Sequence, residues 1–212
     1  MGVKQGDFQM TITGLVVAGF FFLISLAKPL KTLSARRPPS SVLCAKALVS
    51  IGSQFAVHYT AIMAAVQVSL PFLDPDDTSN TPDGAFNPTP LNSSTFLVAL
   101  CVTVNTFATN YVGHPFMQSM GDNKLLSRGL ATAGILLLVA ATEAFPPLND
   151  LLQLGPMPAN DLLGLEGAAA MGEWGEAVAR GTGMGLKGCL VAIMAGDSAA
   201  VAVTERIVEA IF

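Results

Sequence analysis

The sequence predicts an all-α, polytopic membrane protein with five transmembrane helices. Of its 212 residues, 51% are hydrophobic and 12% are charged, roughly half of the charged fraction of about 25% that is usual in soluble domains. Five apolar stretches are each long enough to cross a hydrocarbon layer of about 30 Å as a helix. The loops between these stretches alternate between basic and acidic, which gives the same number of crossings and sets their orientation.

The first predicted helix covers residues 7–27, and its core from Gly14 to Leu26 carries no charge. Lys28 and Pro29 follow where a secretory signal peptide would need small residues for cleavage, so a membrane helix is favoured. The loop to the next helix is basic and has no acidic residue, which keeps it on the cytoplasmic side. Its basic residues are Lys28, Lys31, Arg36 and Arg37.

The second predicted helix covers residues 42–70 and contains Gln54 and His58, four apart and therefore on one face. Polar residues inside a membrane are candidates for function, and the alternative is that both hydrogen-bond a neighbouring helix. No acidic neighbour in the sequence is expected to orient the ring of His58. The loop of residues 71–93 has four aspartates and no Lys or Arg, which places it on the lumenal side.

The third and fourth predicted helices cover residues 94–112 and 125–145, joined by a weakly basic cytoplasmic loop. Asn105 and Asn110 lie in the cytoplasmic half of the third helix. The Asn92-Ser93-Ser94 run is a formal glycosylation acceptor, but we expect it to lie too close to the membrane to be modified.

Residues 146–183 form a second acidic, lumenal loop, which we expect to contain a short interfacial helix around 162–170 and Trp174 at headgroup level. The fifth predicted helix covers residues 184–204. It contains Lys187, which can extend outward at the lumenal end, and Asp197 deeper in the membrane. Asp197 is either a functional carboxylate or the partner of a cation on another helix.

The sequence shows no catalytic constellation and no metal site of its own. The three cysteines are isolated, so neither a disulfide framework nor a zinc site is predicted. The G-x-G-x-x-G match that begins at Gly183 opens a membrane helix with no preceding strand, which argues against a dinucleotide site. The net charge of −4 argues against a nucleic-acid partner.

The first helix lacks a carboxylate from Phe8 to Ala27. A metal cation that crosses the membrane needs oxygen ligands to replace its water shell, and these normally include Asp or Glu. Thr11, Thr13 and Ser25 supply only hydroxyls. The composition of this helix therefore favours an apolar or peptide-like substrate over a cation.

Several short motifs resemble one family. The most specific is the K-P-L-K-T-L-S run from Lys28 to Ser34, with Ile24-Ser25 before it. The others are Gly2-Val3-Lys4, Asp7-Phe8-Gln9, Gln54-Phe55, Val57-His58, Asn92-Ser93, Phe107-Ala108, Asn110-Tyr111, Pro115-Phe116-Met117 and Asn123-Lys124. Together they resemble the sixth to tenth membrane helices of the P-type ATPases of type five, subgroup A, which reside in the endoplasmic reticulum. Asp197 and Arg206 fall where the tenth helix of that family carries an acidic and a basic residue.

The resemblance implies part of the membrane domain of a pump that couples ATP hydrolysis, through an aspartyl-phosphate, to removal of mistargeted transmembrane segments. ATP and magnesium would be cofactors of the full-length pump and not of this chain. The implied partners are membrane lipid, the remaining helices and cytosolic domains of the pump, and a transmembrane-helix substrate. Thr11, Thr13 and Ser25 would be candidates for the substrate cavity. The loop from Lys28 to Arg37 would contact the phosphorylation domain.

The chain departs from the family because it has no D-K-T-G-T phosphorylation motif and no nucleotide-binding domain. It is therefore expected to be a piece of the full pump, or a detached membrane half whose catalytic part is encoded elsewhere. One alternative is a stand-alone five-helix scaffold or assembly subunit. Another is a small channel or carrier, for which the inverted repeat common in transporters is not visible.

Overall fold

The computed structural model describes most of the chain. The described residues are 3–32, 34–35, 37, 41, 43–74, 81, 84–158, 172–183 and 185–212. Within them the structure is helical, and its only strand-like pairing is an isolated antiparallel bridge between Pro29 and Met117. The all-α class is thereby confirmed.

Seven α-helices follow one another along the described chain. They are α1 (Asp7–Ser25), α2 (Ala45–Ser69), α3 (Pro90–Asn110), α4 (Lys124–Thr142), α5 (Pro146–Leu151), α6 (Gly172–Thr182) and α7 (Gly185–Ile211). A single 3-10 turn, Leu70–Phe72, continues α2. Among the described residues, α1, α2, α3, α4 and α7 are long and apolar enough to cross a membrane, which confirms the predicted number of five such helices.

The helix ends differ from the predicted bounds for local reasons. Helix α3 begins four residues early because Pro90 suits the first helical position and Thr89 caps the helix by accepting from the Asn92 amide. Helix α4 ends at Thr142, since Glu143 adopts a left-handed conformation with φ 53°. Helix α7 continues to Ile211, well past residue 204.

Helices α2, α3 and α7 form the centre of the bundle. Their contact surfaces are built from small and medium apolar residues that are buried, such as Ala65, Leu97 and Leu190. Helices α1 and α4 pack together at one side. Phe20 and Phe21 of α1 contact the ring of Phe107 on α3, with ring centroids 5.2 and 5.1 Å apart.

Backbone hydrogen bonds join the two loops at the end of the bundle that we call the Lys28 end. The Leu30 amide donates to the Phe116 carbonyl (3.3 Å), and the Gln118 amide donates to the Lys28 carbonyl (3.0 Å). The loop after α1 and the loop after α3 therefore form one unit. The opposite end, where α5 and α6 lie, is called the Trp174 end.

A buried junction at the Trp174 end holds the start of α1 against α3 and the segment after α5. The Gln9 side chain is fully buried, and its amide nitrogen donates to Asn92 Oδ1 (3.1 Å) and to the Leu152 and Gln153 carbonyls (both 3.3 Å). Asn92 in turn donates to the Lys4 carbonyl. Asn92 is 3% exposed, so the formal glycosylation acceptor is occupied by packing contacts in the folded chain.

Candidate functional site

Three polar residues of α2 lie on the face of that helix that points to α3 and α7. Ser50, Gln54 and His58 are spaced by four residues, and all three are buried. The same face continues with Ala61 and Ala65. Spacings of three and four place these side chains in one row along a helix, so the row meets its neighbours at successive depths.

The deeper layer of this network joins His58 to Asp197. His58 Nδ1 lies 2.8 Å from Asp197 Oδ1, and the Asp197 residue is 4% exposed. Asn105 of α3 donates from Nδ2 to Asp197 Oδ2 (2.8 Å) and to the Ser198 hydroxyl (2.9 Å). One carboxylate thus links α2, α3 and α7. We name His58, Asn105, Asp197 and Ser198 the inner layer.

The expectation that no acidic residue orients the ring of His58 is wrong. His58 and Asp197 are 139 positions apart in the sequence, so no local pattern could reveal the pair. The alternatives in which these residues join helices are found together: Asp197 pairs with His58 on another helix, and His58 and Gln54 hydrogen-bond neighbouring helices.

A second layer lies closer to the Lys28 end. Gln54 Nε2 donates to Ser50 Oγ (3.0 Å), to Glu205 Oε2 (3.0 Å) and to Asn110 Oδ1 (3.3 Å). Asn110 returns a hydrogen bond to Gln54 Oε1 (3.0 Å), and Ser50 donates to Glu205 Oε2 (2.6 Å). We name Ser50, Gln54, Asn110 and Glu205 the outer layer.

Sequence reasoning missed Glu205 as a member of the network, because the fifth predicted helix ended at residue 204. Its position held a usable signal. Glu205 follows Asp197 by eight residues, about two helical turns, so both carboxylates project from the same side of α7.

The candidate substrate-cavity residues on α1 use their hydroxyls to bond carbonyls of their own helix. The hydroxyls of Thr11, Thr13 and Ser25 donate to the carbonyls of Asp7 (2.8 Å), Gln9 (2.9 Å) and Phe22 (2.7 Å). Hydroxyls bonded in this way leave the helix surface largely apolar. The cavity role of these residues remains a prediction.

The basic candidates lie at the Lys28 end. Lys28, Lys31 and Arg37 are exposed, and the Lys28 carbonyl takes part in the pairing of the two loops. Arg36 lies outside the described residues.

At the Trp174 end, Lys187 pairs with Glu143 at 2.5 Å. A cation at this helix end is thus held by the carboxylate that directly follows α4 and does not only extend toward water. Trp174 of α6 is half exposed. The interfacial helix expected at 162–170 lies outside the described residues.

The described residues contain no group of three or more His, Cys, Asp or Glu side chains that could hold a metal ion. The network can hold helices together, and its ionisable members are two carboxylates and an imidazole. A carboxylate at this depth is costly unless it is paired, by about 2.5–3.5 kcal/mol on insertion scales.

The fold and the network define a class: a five-helix polytopic membrane domain whose helices are joined by buried polar contacts. No family model matches the sequence. The chain is 41% identical over 157 residues to a probable manganese-transporting ATPase of Arabidopsis thaliana. It is 38% identical over 156 residues to the endoplasmic reticulum transmembrane helix translocase of Saccharomyces cerevisiae, and 35% identical over 159 residues to the translocase of that name in Schizosaccharomyces pombe.

These alignments cover 74–75% of this chain and 13% of each relative, so the chain spans a small part of the curated relatives it matches. The resemblance drawn from the motifs is confirmed: the chain is homologous to part of the type-five, subgroup A P-type ATPases. Five spanning helices, together with relatives named for the endoplasmic reticulum, make it a multi-pass protein of that membrane.

Proposed function

We propose that these five helices are the C-terminal membrane half of a type-five P-type ATPase that uses ATP hydrolysis to extract mistargeted transmembrane helices from the endoplasmic-reticulum membrane. The observation that carries the proposal is the 34–38% identity to three relatives named transmembrane helix translocases. The binding of ATP and magnesium, and the hydrolysis of ATP, would belong to domains outside this chain.

In this function α1 would form part of the wall along which a substrate helix moves. The membrane-facing surface of α1 exposes Leu15, Phe21 and Phe22. The hydroxyls of Thr11, Thr13 and Ser25 are bonded within the helix, so they would offer a weakly polar strip and no cation ligands. An apolar wall with few polar atoms suits a peptide helix that leaves lipid.

The basic loop would be the contact to the phosphorylation domain. Lys28, Lys31 and Arg37 are exposed, and Arg36 belongs to the same basic run. Because the backbone of this loop is hydrogen-bonded to residues 116–118, a force applied at Lys28 would reach α3 and α4 as well as α1. The inner and outer layers would keep α2, α3 and α7 fixed while α1 responds.

Manganese transport is the second candidate, favoured by the name of the Arabidopsis relative. In α1 the only carboxylate is Asp7, at its first position. In the part of the chain that the structure describes, no cluster suited to a metal is found. These observations favour helix extraction. A stand-alone scaffold would share the helix packing but would perform neither reaction.

The test begins with the transcript, sequenced from its 5′ end. A reading frame that continues upstream of Met1 into D-K-T-G-T would support the pump. A transcript that starts at Met1 would remove ATP hydrolysis from this polypeptide and favour the scaffold.

The protein encoded by the whole reading frame is then purified into lipid vesicles with a labelled model transmembrane peptide. ATP-dependent release of the peptide, reduced in a Lys28→Glu/Lys31→Glu variant, is the expected result. Stimulation of ATP hydrolysis by Mn²⁺ without peptide release would favour manganese transport instead.

A further inference from the structure

We propose that His58 and Asp197 form a proton-binding site inside the membrane-spanning bundle, which holds one exchangeable proton. The two side chains are 11% and 1% exposed and are joined at 2.8 Å. Both lie about midway along their helices, far from the loops at either end. The proton site rests on this geometry alone and does not depend on ATP-driven extraction.

The charge balance of the pair favours the binding of a proton. With a neutral imidazole that donates from Nδ1 to a bare carboxylate, the pair carries one negative charge in a low-dielectric environment. One added proton has two places to bind: Nε2, which gives an imidazolium beside a carboxylate, or the carboxyl group, which then donates to Nδ1 while the ring proton moves to Nε2. Either form is neutral overall, and a neutral pair is far less costly in a membrane than a lone charge.

An independent observation points to the same site. Within the described residues, Nε2 of His58 is buried and has no hydrogen-bond partner. A buried polar atom without a partner is uncommon and calls for a physical reason. An imidazole nitrogen that gains and loses a proton supplies one, since a permanent partner would hold the ring in a single state.

The other titratable groups around the pair are few. Cys101 of α3 faces Asp197, and Asn105 supplies a neutral donor to the carboxylate. Glu205 of α7 is occupied in the outer layer by Ser50 and Gln54. From α6, Trp174 lines a cavity that Asp197 also lines, and the carboxyl groups of that helix are Glu173 and Glu176. Across the described chain, no Lys or Arg forms a salt bridge with Asp197.

Two cavities border the inner layer. A groove of about 420 Å³ between α3 and α7 is lined by Asn105 and Ser198 at one end and by Glu205, Arg206 and Glu209 toward the Lys28 end. Asn105 bonds Asp197 directly, so a small movement of its amide would open the carboxylate to this polar groove. A cavity of about 280 Å³ on the α2–α7 face is lined by Asp197 itself.

The experiment uses histidine NMR on the full chain in lipid nanodiscs. The chain has two histidines, His58 in the bundle and His114 exposed in a loop, so isotope-labelled histidine gives two sets of ring signals. A His114→Gln variant assigns them. The ring nitrogen shifts report protonation and are followed from about pH 4 to about pH 10, a range wide enough for an imidazole in most environments.

We expect the His58 ring to change either its protonation state or its tautomer within this range, with His114 as the internal control. In an Asp197→Asn variant the transition of His58 should move by about one pH unit or more, a tenfold change in proton binding, while that of His114 stays in place. A His58 ring that keeps both one protonation state and one tautomer throughout would overturn the proposal, as would an unchanged transition in Asp197→Asn. If that variant fails to fold, the wild-type His58 signals decide alone.

Discussion

The three central helices and the α1–α4 pair are held together by different means. Helices α2, α3 and α7 share the hydrogen bonds of the inner and outer layers, whereas α1 meets α4 and α3 mainly through apolar side chains, with the Gln9–Asn92 bond at its start as the exception. In the 18-residue stretch of α3 that is apolar enough to span the membrane, 56% is buried. In the corresponding stretch of α1, 11% is buried. In lipid, apolar helices gain little from contact with each other, so polar bonds and close packing decide which helices stay together. The central three helices are therefore joined largely by polar bonds, and α1 is joined largely by apolar packing.

The largest test of this difference is removal of one partner of the central pair. In a His58→Leu variant the Asp197 carboxylate stays buried without its neighbour, and we expect the free energy of unfolding to fall by about 3 kcal/mol. Unfolding by SDS in mixed micelles, followed by circular dichroism, measures it.

The control for that variant is Thr60→Ala, because the Thr60 hydroxyl is exposed and bonds only its own helix at the Val57 carbonyl. A His58→Leu/Asp197→Leu double variant removes the stranded charge and should regain most of the loss, since apolar replacements of a buried pair are often tolerated. A double variant as unstable as the single one would contradict this account.

A smaller loss is expected in the outer layer. Gln54→Leu removes hydrogen bonds to Ser50, Asn110 and Glu205 and should cost about 1 kcal/mol, because interhelical hydrogen bonds in membranes are individually weak. The same SDS titration applies.

Ser53→Ala is the matched control on the same turn, since its hydroxyl donates to the Val49 and Ser50 carbonyls of its own helix. Equal effects of Gln54→Leu and Ser53→Ala would show that the outer layer does not join the helices.

The apolar region has its own sensitive position, at a glycine of α4. A Cβ at Gly129 would lie 2.8 Å from Leu23 Cδ1 of α1, whereas a Cβ at Gly134 meets nothing within 4 Å. Both Gly→Ala changes gain the same helix propensity, so their difference isolates the α1–α4 contact. We expect Gly129→Ala to be less stable than Gly134→Ala by about 1 kcal/mol, an overpacking cost reduced by the flexibility of Leu23. Identical unfolding curves would mean that α1 adjusts without strain.

The fold was predictable because a membrane imposes length and polarity on each span separately. An apolar run such as Gly14 to Leu26 predicts a transmembrane helix without reference to any other part of the chain. The class, the number of crossings and the family motifs therefore came from local sequence. The ends of α3 and α4 did not, because they depend on the Thr89 cap and on the left-handed Glu143.

The site was predictable as a set of residues and not as an arrangement. Gln54, His58, Asn110 and Asp197 stand out because polar groups are rare in such helices. Their pairing depends on how three helices pack, and helix rotation is not encoded in any one stretch. For that reason the His58–Asp197 contact and the membership of Glu205 appeared only in three dimensions.

The smallest expected effect lies in the loop before α4, where the comparison is between an exposed hydrogen bond and the buried ones. The Ser119 hydroxyl donates to Asp122 Oδ2 (2.6 Å), and this bond holds the pKa of the Asp122 carboxyl below its usual value. A donor to the charged form favours ionisation, so Ser119→Ala should raise the pKa of Asp122 toward the ordinary range, as followed by carboxyl NMR. The control is Ser127→Ala, which should leave that pKa in place, because the Ser127 hydroxyl bonds the Met120 carbonyl.

Because Asp122 is exposed to water, the unfolding free energy at neutral pH should not change measurably in Ser119→Ala. A loss as large as that of Gln54→Leu would mean that this loop, and not only the buried layers, holds the helices together.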